Sequence, residues 1–449
     1  VTTLPRSSIP GWTAGLLACG AAAHAASRVW AGAAAWEPSE VSDALPLFLG
    51  ARAVNQGLDP TDPSILQQVY DALDLHVSMA LFSTLYPAST AVMLAPLGAQ
   101  TWPDFLADWR AIILVVLVVG AAAAGAGRLR GWRALLGAGI GGWVALTAFP
   151  TTSDALGLGQ ANLVIVGLLG LAIAGLARDQ GGLAGAAAIV GAGIKLVPAI
   201  AIWPLLLARR WRALAWTAGA AAVILGLTWA LVPLDRILED LARTVAFQRG
   251  VEAPWVRNPA TPEWLRFLGQ LRRPSLGLLS LGIAGWAAHR SRHTAQARTR
   301  VLPPALGLLI AAIAVDATAV GEFYATLYIP PMILLATWPL APEAPRWSWG
   351  LVGLVAGPAV CLSLSLGGVE AHPKLMLGGM LVWAGVALML LHAARPLRRR
   401  VLLTLAVLGF LALAQAWIWA FRPPYMGPRS MPPMAPGGHI PHAPPPPHR

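Results

Sequence analysis

Lysine is nearly absent from this 449-residue chain, where only Lys195 and Lys374 occur. Charged residues of every kind make up 12% of it, against 57% hydrophobic residues. With a mean hydropathy of +0.63, that scarcity of charge excludes an ordinary soluble domain and indicates a polytopic, all-α membrane protein. Cysteine is equally rare. Cys19 and Cys361 both fall in expected spans, where apolar burial accounts for them, so neither a disulfide framework nor a metal site follows. No GxGxxG loop opens a helix in a soluble domain, which argues against a nucleotide-phosphate cradle. No internal repeat of fixed period is present either, which argues against transporter folds made of duplicated halves.

What charge there is has a pattern. The formal net charge of +12 comes from arginines in short clusters between apolar runs, such as Arg128, Arg130 and Arg133 or Arg209, Arg210 and Arg212. Scattered single clusters mark cytoplasmic loops and not a nucleic-acid surface. The first apolar run, Gly11 to Ala35, contains a small-residue stretch like a signal cleavage site. Its apolar character continues past that stretch, so a retained first helix at about 11–34 is expected.

Counting about 20 apolar residues per crossing, with arginine clusters inside, predicts about thirteen helices over residues 1–422. A long outer segment, about 35–107, follows helix 1, and its prolines 87, 96 and 103 suggest short surface-lying helices and no clean span. Crossings are expected near 108–127, 134–152, 161–177 and 213–233. A second outer loop at about 234–274 precedes further crossings near 275–289, 301–320, 321–340, 347–367, 375–393 and 401–420. Of twenty acidic residues, only Asp179 and Glu343 then fall in cytoplasmic loops. Residues 423–449, rich in Pro, His and Met, read as a disordered tail.

Lys195 lies in an apolar stretch from Ala186 to Pro198, where an unpaired cation costs roughly 3 kcal/mol on insertion scales. Residues 180–209 are too many for one straight crossing and too few for two, so two shortened helices meeting at a break around Lys195 are expected. A lysine near a helix end also snorkels to the interface without any ligand. Asp43, at the membrane boundary after helix 1, has the residue type and apolar surroundings of a general base, or of a solvated loop carboxylate. Gln160 and Asn162 are suited to bonding a sugar or a neighbouring helix. Asp154, Asp316, Glu322 and Tyr324 fall at the same outer face, and this convergence points to one outward-facing site. A transporter or flippase path through Lys195, Asp316 and Glu322 is the alternative, and a catalytically silent scaffold a third reading.

Asp43, then Gly57 to Asp62, Tyr86-Pro87, Leu94 to Leu97, Gly159-Gln160-Ala161-Asn162, and Lys195 to Pro198 before Arg209 to Arg212 occur in an order that resembles glycosyltransferase family 87 of the C-type membrane glycosyltransferase superfamily. The likeness spans about residues 36–212 as an ordered set. It implies a polyprenyl-phosphate-linked sugar donor, with mannose as the expected sugar, and a glycolipid or glycan acceptor. It also implies an extracytoplasmic site in the plasma (inner) membrane, with Asp43 as general base and Lys195 beside the donor phosphate. No cofactor is expected, and membrane lipids are the expected surroundings. Where such families commonly carry an aromatic-acidic-histidine-tyrosine run, this chain has Gly321-Glu322-Phe323-Tyr324.

Overall fold

The computed structural model describes residues 9–37, 43–73, 86–149, 151–240, 242, 263–318, 326–349 and 371–394. Every regular element among them is helical. In chain order these are α1 (Ile9–Ala34), α2 (Leu45–Asn55), α3 (Pro63–Ala72), α4 (Ala88–Leu94), α5 (Trp102–Ala126), α6 (Trp132–Thr147), α7 (Thr151–Gly157) and α8 (Asn162–Ala177). They continue with α9 (Gly181–Ile194), α10 (Ile202–Leu207), α11 (Trp211–Leu231), α12 (Glu263–Ser291), α13 (Ala295–Thr318), α14 (Ile329–Thr337) and α15 (Ala371–Ala394). The expected crossing near 401–420 and the tail lie outside the described residues, as does the crossing near 347–367 beyond residue 349.

Among the described residues three helices are long and apolar enough to cross a membrane by length and composition, Trp102–Ala126, Trp211–Leu231 and the Ala295–Val315 part of α13. α11 shows what its outer side meets. Trp211, Trp216, Val223, Leu227 and Trp229 are all exposed, an apolar face that water would penalise and hydrocarbon would not. Trp211 and Trp229 stand about 27 Å apart along an ideal helix, the separation of two interfacial aromatic belts.

Without a strong hydrophobic drive between helices in lipid, close approach comes from small side chains. α5 is flanked by α6 and α8 in this way. A Cβ on Gly120 would meet the Gly167 carbonyl oxygen at 1.9 Å, and one on Gly125 would meet that of Gly137 at 2.1 Å. α1 packs on α6, α9 on α8, and α11 on α9. α13 contacts α8, α12 and α15, joining the later helices to the earlier ones.

Prolines that read as breakers prove to be helix openers. α5 starts at Trp102, earlier than the expected 108, because the Thr101 side chain accepts from the Asp104 amide and Pro103 occupies the first turn, where it lacks no bond. Asp62 caps α3 in the same manner ahead of Pro63. The outer segment is helical as expected, but α2 is buried against the protein, with Phe48 packed on Trp102 and Phe105 at 5.4 and 5.1 Å between ring centroids. α12 begins at Glu263, so the second outer loop ends earlier than residue 274.

The two acids expected inside both meet arginines. Arg128, after α5, pairs with Glu343, while Asp179, after α8, binds Arg210 at 3.0 Å and Arg298 at 2.9 Å. These pairs gather at one end of α5 and α8. Asn162, at the start of α8, stands at the other.

Candidate active site

The stretch around Lys195 breaks as its length requires. α9 ends at Ile194, Lys195 is extended (φ −158°, ψ 134°), and a 3-10 turn, Val197–Ala201, leads into α10. Pro198 folds back on Gly191, where a Cβ would lie 2.9 Å from its ring. A helix that ends early leaves carbonyls without amide partners. Here α4 supplies them: Ser89 Oγ donates to Gly193 O at 2.6 Å, and Thr90 Oγ1 lies 3.0 Å from Gly193 O and 3.3 Å from Ile194 O.

The opposite wall comes from the link between α7 and α8. Gly159 takes φ +69°, the left-handed conformation that ends α7, and the Gln160 amide returns to Ala155 O at 2.8 Å. A Cβ on Gly159 would lie 2.6 Å from that of Ala44. Glycine is thus required twice, for its dihedral and for the approach of the segment carrying Asp43. Two neighbours on α5 hold the turn: Trp109 Nε1 donates to Gly159 O at 2.8 Å, and buried Arg110 Nε to Gly157 O at 3.0 Å.

This scaffold joins four of the sequence candidates in one hydrogen-bonded chain. Lys195 Nζ donates to Asn162 Oδ1 at 3.0 Å, Asn162 Nδ2 to Gln160 Oε1 at 3.3 Å, and Gln160 Nε2 to Asp43 Oδ2. The cation at one end and the carboxylate at the other fix both amide orientations, because either flip would set two donors or two acceptors face to face. The Tyr86 ring lies with its centroid 6.0 Å from the Lys195 ammonium, a cation–π distance. Burial pushes the Asp43 carboxyl above the usual aspartate range, while the Gln160 bond and the Lys195 charge act the other way.

Asp154 does not join the chain. It is exposed on α7. Asp316 is on α13, and Glu322 and Tyr324, with Phe323, lie outside the described residues. Residues that sequence reasoning passed over also matter. Ser89 and Thr90 cap the break, Arg110 and Trp109 hold the turn, and buried Asp240 accepts the Ala88 amide at 2.9 Å, a partner 152 positions away that no local spacing signals.

The arrangement sets a half-buried carboxylate and a half-buried cation at opposite ends of a short polar relay. Comparison with curated proteins and with solved structures gives no match. The model of glycosyltransferase family 87 matches residues 84–315, a stretch that contains Gln160, Asn162, Lys195 and Asp240 and begins after Asp43. With half of the chain matched, all-helical and apolar, this membrane protein belongs to glycosyltransferase family 87.

Proposed function

We propose that this glycosyltransferase transfers a hexose, mannose in the first instance, from a polyprenyl-phosphate donor to an acceptor hydroxyl at the extracytoplasmic face. About thirteen crossings would enclose the site. Asp43 takes the acceptor proton as the hydroxyl oxygen bonds to the anomeric carbon from the face opposite the phosphate. The bond from that carbon to the phosphate oxygen breaks, and configuration inverts. The departing phosphate gains negative charge, so a nearby ammonium stabilises the transition state more than the bound donor. Lys195 supplies that charge. Asn162 and Gln160 hold the cation and the base at a set separation and are positioned to bond sugar hydroxyls. Asp154, Asp316, Glu322 and Tyr324 are proposed as further substrate contacts.

The observation that supports this reading most is the bonded chain from Lys195 to Asp43. Its test is direct. Purified protein, given polyprenyl-phosphate mannose labelled in the sugar and a panel of glycolipid and glycan acceptors, should form a labelled glycosidic product. Substrate movement across vesicles with no new glycosidic bond would support a transporter instead.

A further inference from the structure

Three observations meet at α4. Its first amide, from Ala88, donates to the carboxylate of Asp240 at 2.9 Å, and Asp240 is 6% exposed. Its first turn carries Ser89 and Thr90, which hold the last carbonyls of α9. Just before it, Tyr86 faces the Lys195 ammonium. The helix has seven residues, too short to be stable on its own, so these ties, together with its packing on α2 and α11, set its position. Residues 234–240, which carry Asp240, are helical and are themselves tied to the outer segment where Arg236 meets Asp59 at 3.9 Å.

We propose that Asp240 is a positioning residue for Lys195: by fixing the start of α4 it fixes the break in α9 and the tyrosine against the ammonium, and so the placement of the cation beside Asn162. This inference rests on the proposed role of Lys195 only for its effect on turnover. The mechanical part stands by itself. Asp240 acts on Lys195 through α4, and its bond to the Ala88 amide is made inside the protein, where losing the acceptor leaves a buried donor without its partner. Removing it frees α4 to shift, and the α9 carbonyls and Tyr86 shift with it.

The chain has only two lysines, which gives a readout independent of sugar transfer. Trace acylation of the full protein in detergent with an amine-reactive reagent, quantified on the Lys195 and Lys374 peptides by mass spectrometry, measures the reactivity of each amine. In Asp240→Ala, Lys195 should acylate at least threefold faster than in wild type while Lys374 is unchanged, and Asp240→Asn, which keeps an acceptor oxygen, should fall between. Thr90→Val, a milder change at the same relay, should move Lys195 in the same direction if Asp240→Ala does not fold. Equal Lys195 reactivity in wild type and in every folded variant overturns the proposal.

A second arm is a cycle with Lys195→Met. Asp240→Ala should cost at least tenfold in turnover in wild type and less than twofold in the Lys195→Met background, because a residue acting through Lys195 has nothing left to position. The same factor in both backgrounds also overturns it. A wild type that never transfers sugar, with the acylation result intact, overturns the proposed function and leaves the positioning role standing.

Discussion

Lys195 donates to Asn162 at 3.0 Å across the gap between the broken end of α9 and the first residue of α8. Two residues 33 positions apart are thereby made one polar unit. Asn162 in turn commits its amide nitrogen to Gln160, and Gln160 commits its own to Asp43. Polarisation runs in one direction from cation to carboxylate, so each bond strengthens its neighbours.

The two ends of this unit should fail differently. Asp43→Asn keeps the shape and removes the base, so donor binding persists while turnover falls by about 100-fold or more. Lys195→Met keeps the apolar stem and removes the charge, so donor affinity and turnover both fall. Donor binding and single-turnover rates, measured side by side, separate the two. Near-full turnover in Asp43→Asn defeats the mechanism while leaving the family intact.

The pH dependence follows from Asp43. Burial raises its carboxyl, so the base is lost at a higher pH than an ordinary aspartate would allow as the medium is acidified. Gln160 and Lys195 oppose that rise by stabilising the ionised form. Gln160→Leu or Lys195→Met removes such a stabiliser, and the acid limb of the kcat/KM profile should therefore move to higher pH. A shift to lower pH would falsify the assignment of that limb to Asp43.

Gly159→Ala tests the turn. A residue with a Cβ at φ +69° pays about 1–2 kcal/mol, and its methyl would press on Ala44, 2.6 Å away. Displacing Gln160 and Asp43 should lower turnover by about 100-fold and reduce thermal stability. Gly219→Ala is the matched control, since a Cβ there meets nothing within 4 Å in α11, and helix propensity should leave its melting temperature equal or higher. Equal behaviour of the two variants would count against the tight turn.

Sidedness is open to labelling. In a background with Cys19 and Cys361 replaced, Leu58→Cys and Glu239→Cys should react with a membrane-impermeant maleimide added outside, and Arg130→Cys should not. Reaction of all three from one side would defeat the proposed orientation.

Much of this was legible without coordinates. A stretch of residues 180–209 that fits neither one crossing nor two must break, and it breaks at Lys195. Which arginines Asp179 and Glu343 meet, Arg210 and Arg298 for the first and Arg128 for the second, was not legible, but that the two acids stand among arginine clusters was. Such features depend on length, composition and nearest neighbours in the chain, which the order of residues specifies directly. Helix starts at Pro63 and Pro103 were equally local, yet proline has two opposite meanings, and only its place relative to the capping Asp62 and Thr101 selects one. The rest needed the packed bundle. That Gln160 turns to Asp43 depends on Gly159 meeting Ala44 and on Trp109 and Arg110 seizing a turn about 50 positions away. That Asp240 anchors α4 depends on two outer segments being brought together by the helices between them. Hydrogen bonds between distant residues are decided by angstrom-scale helix placement, and such placement is a property of the whole packing, which no single segment of sequence contains.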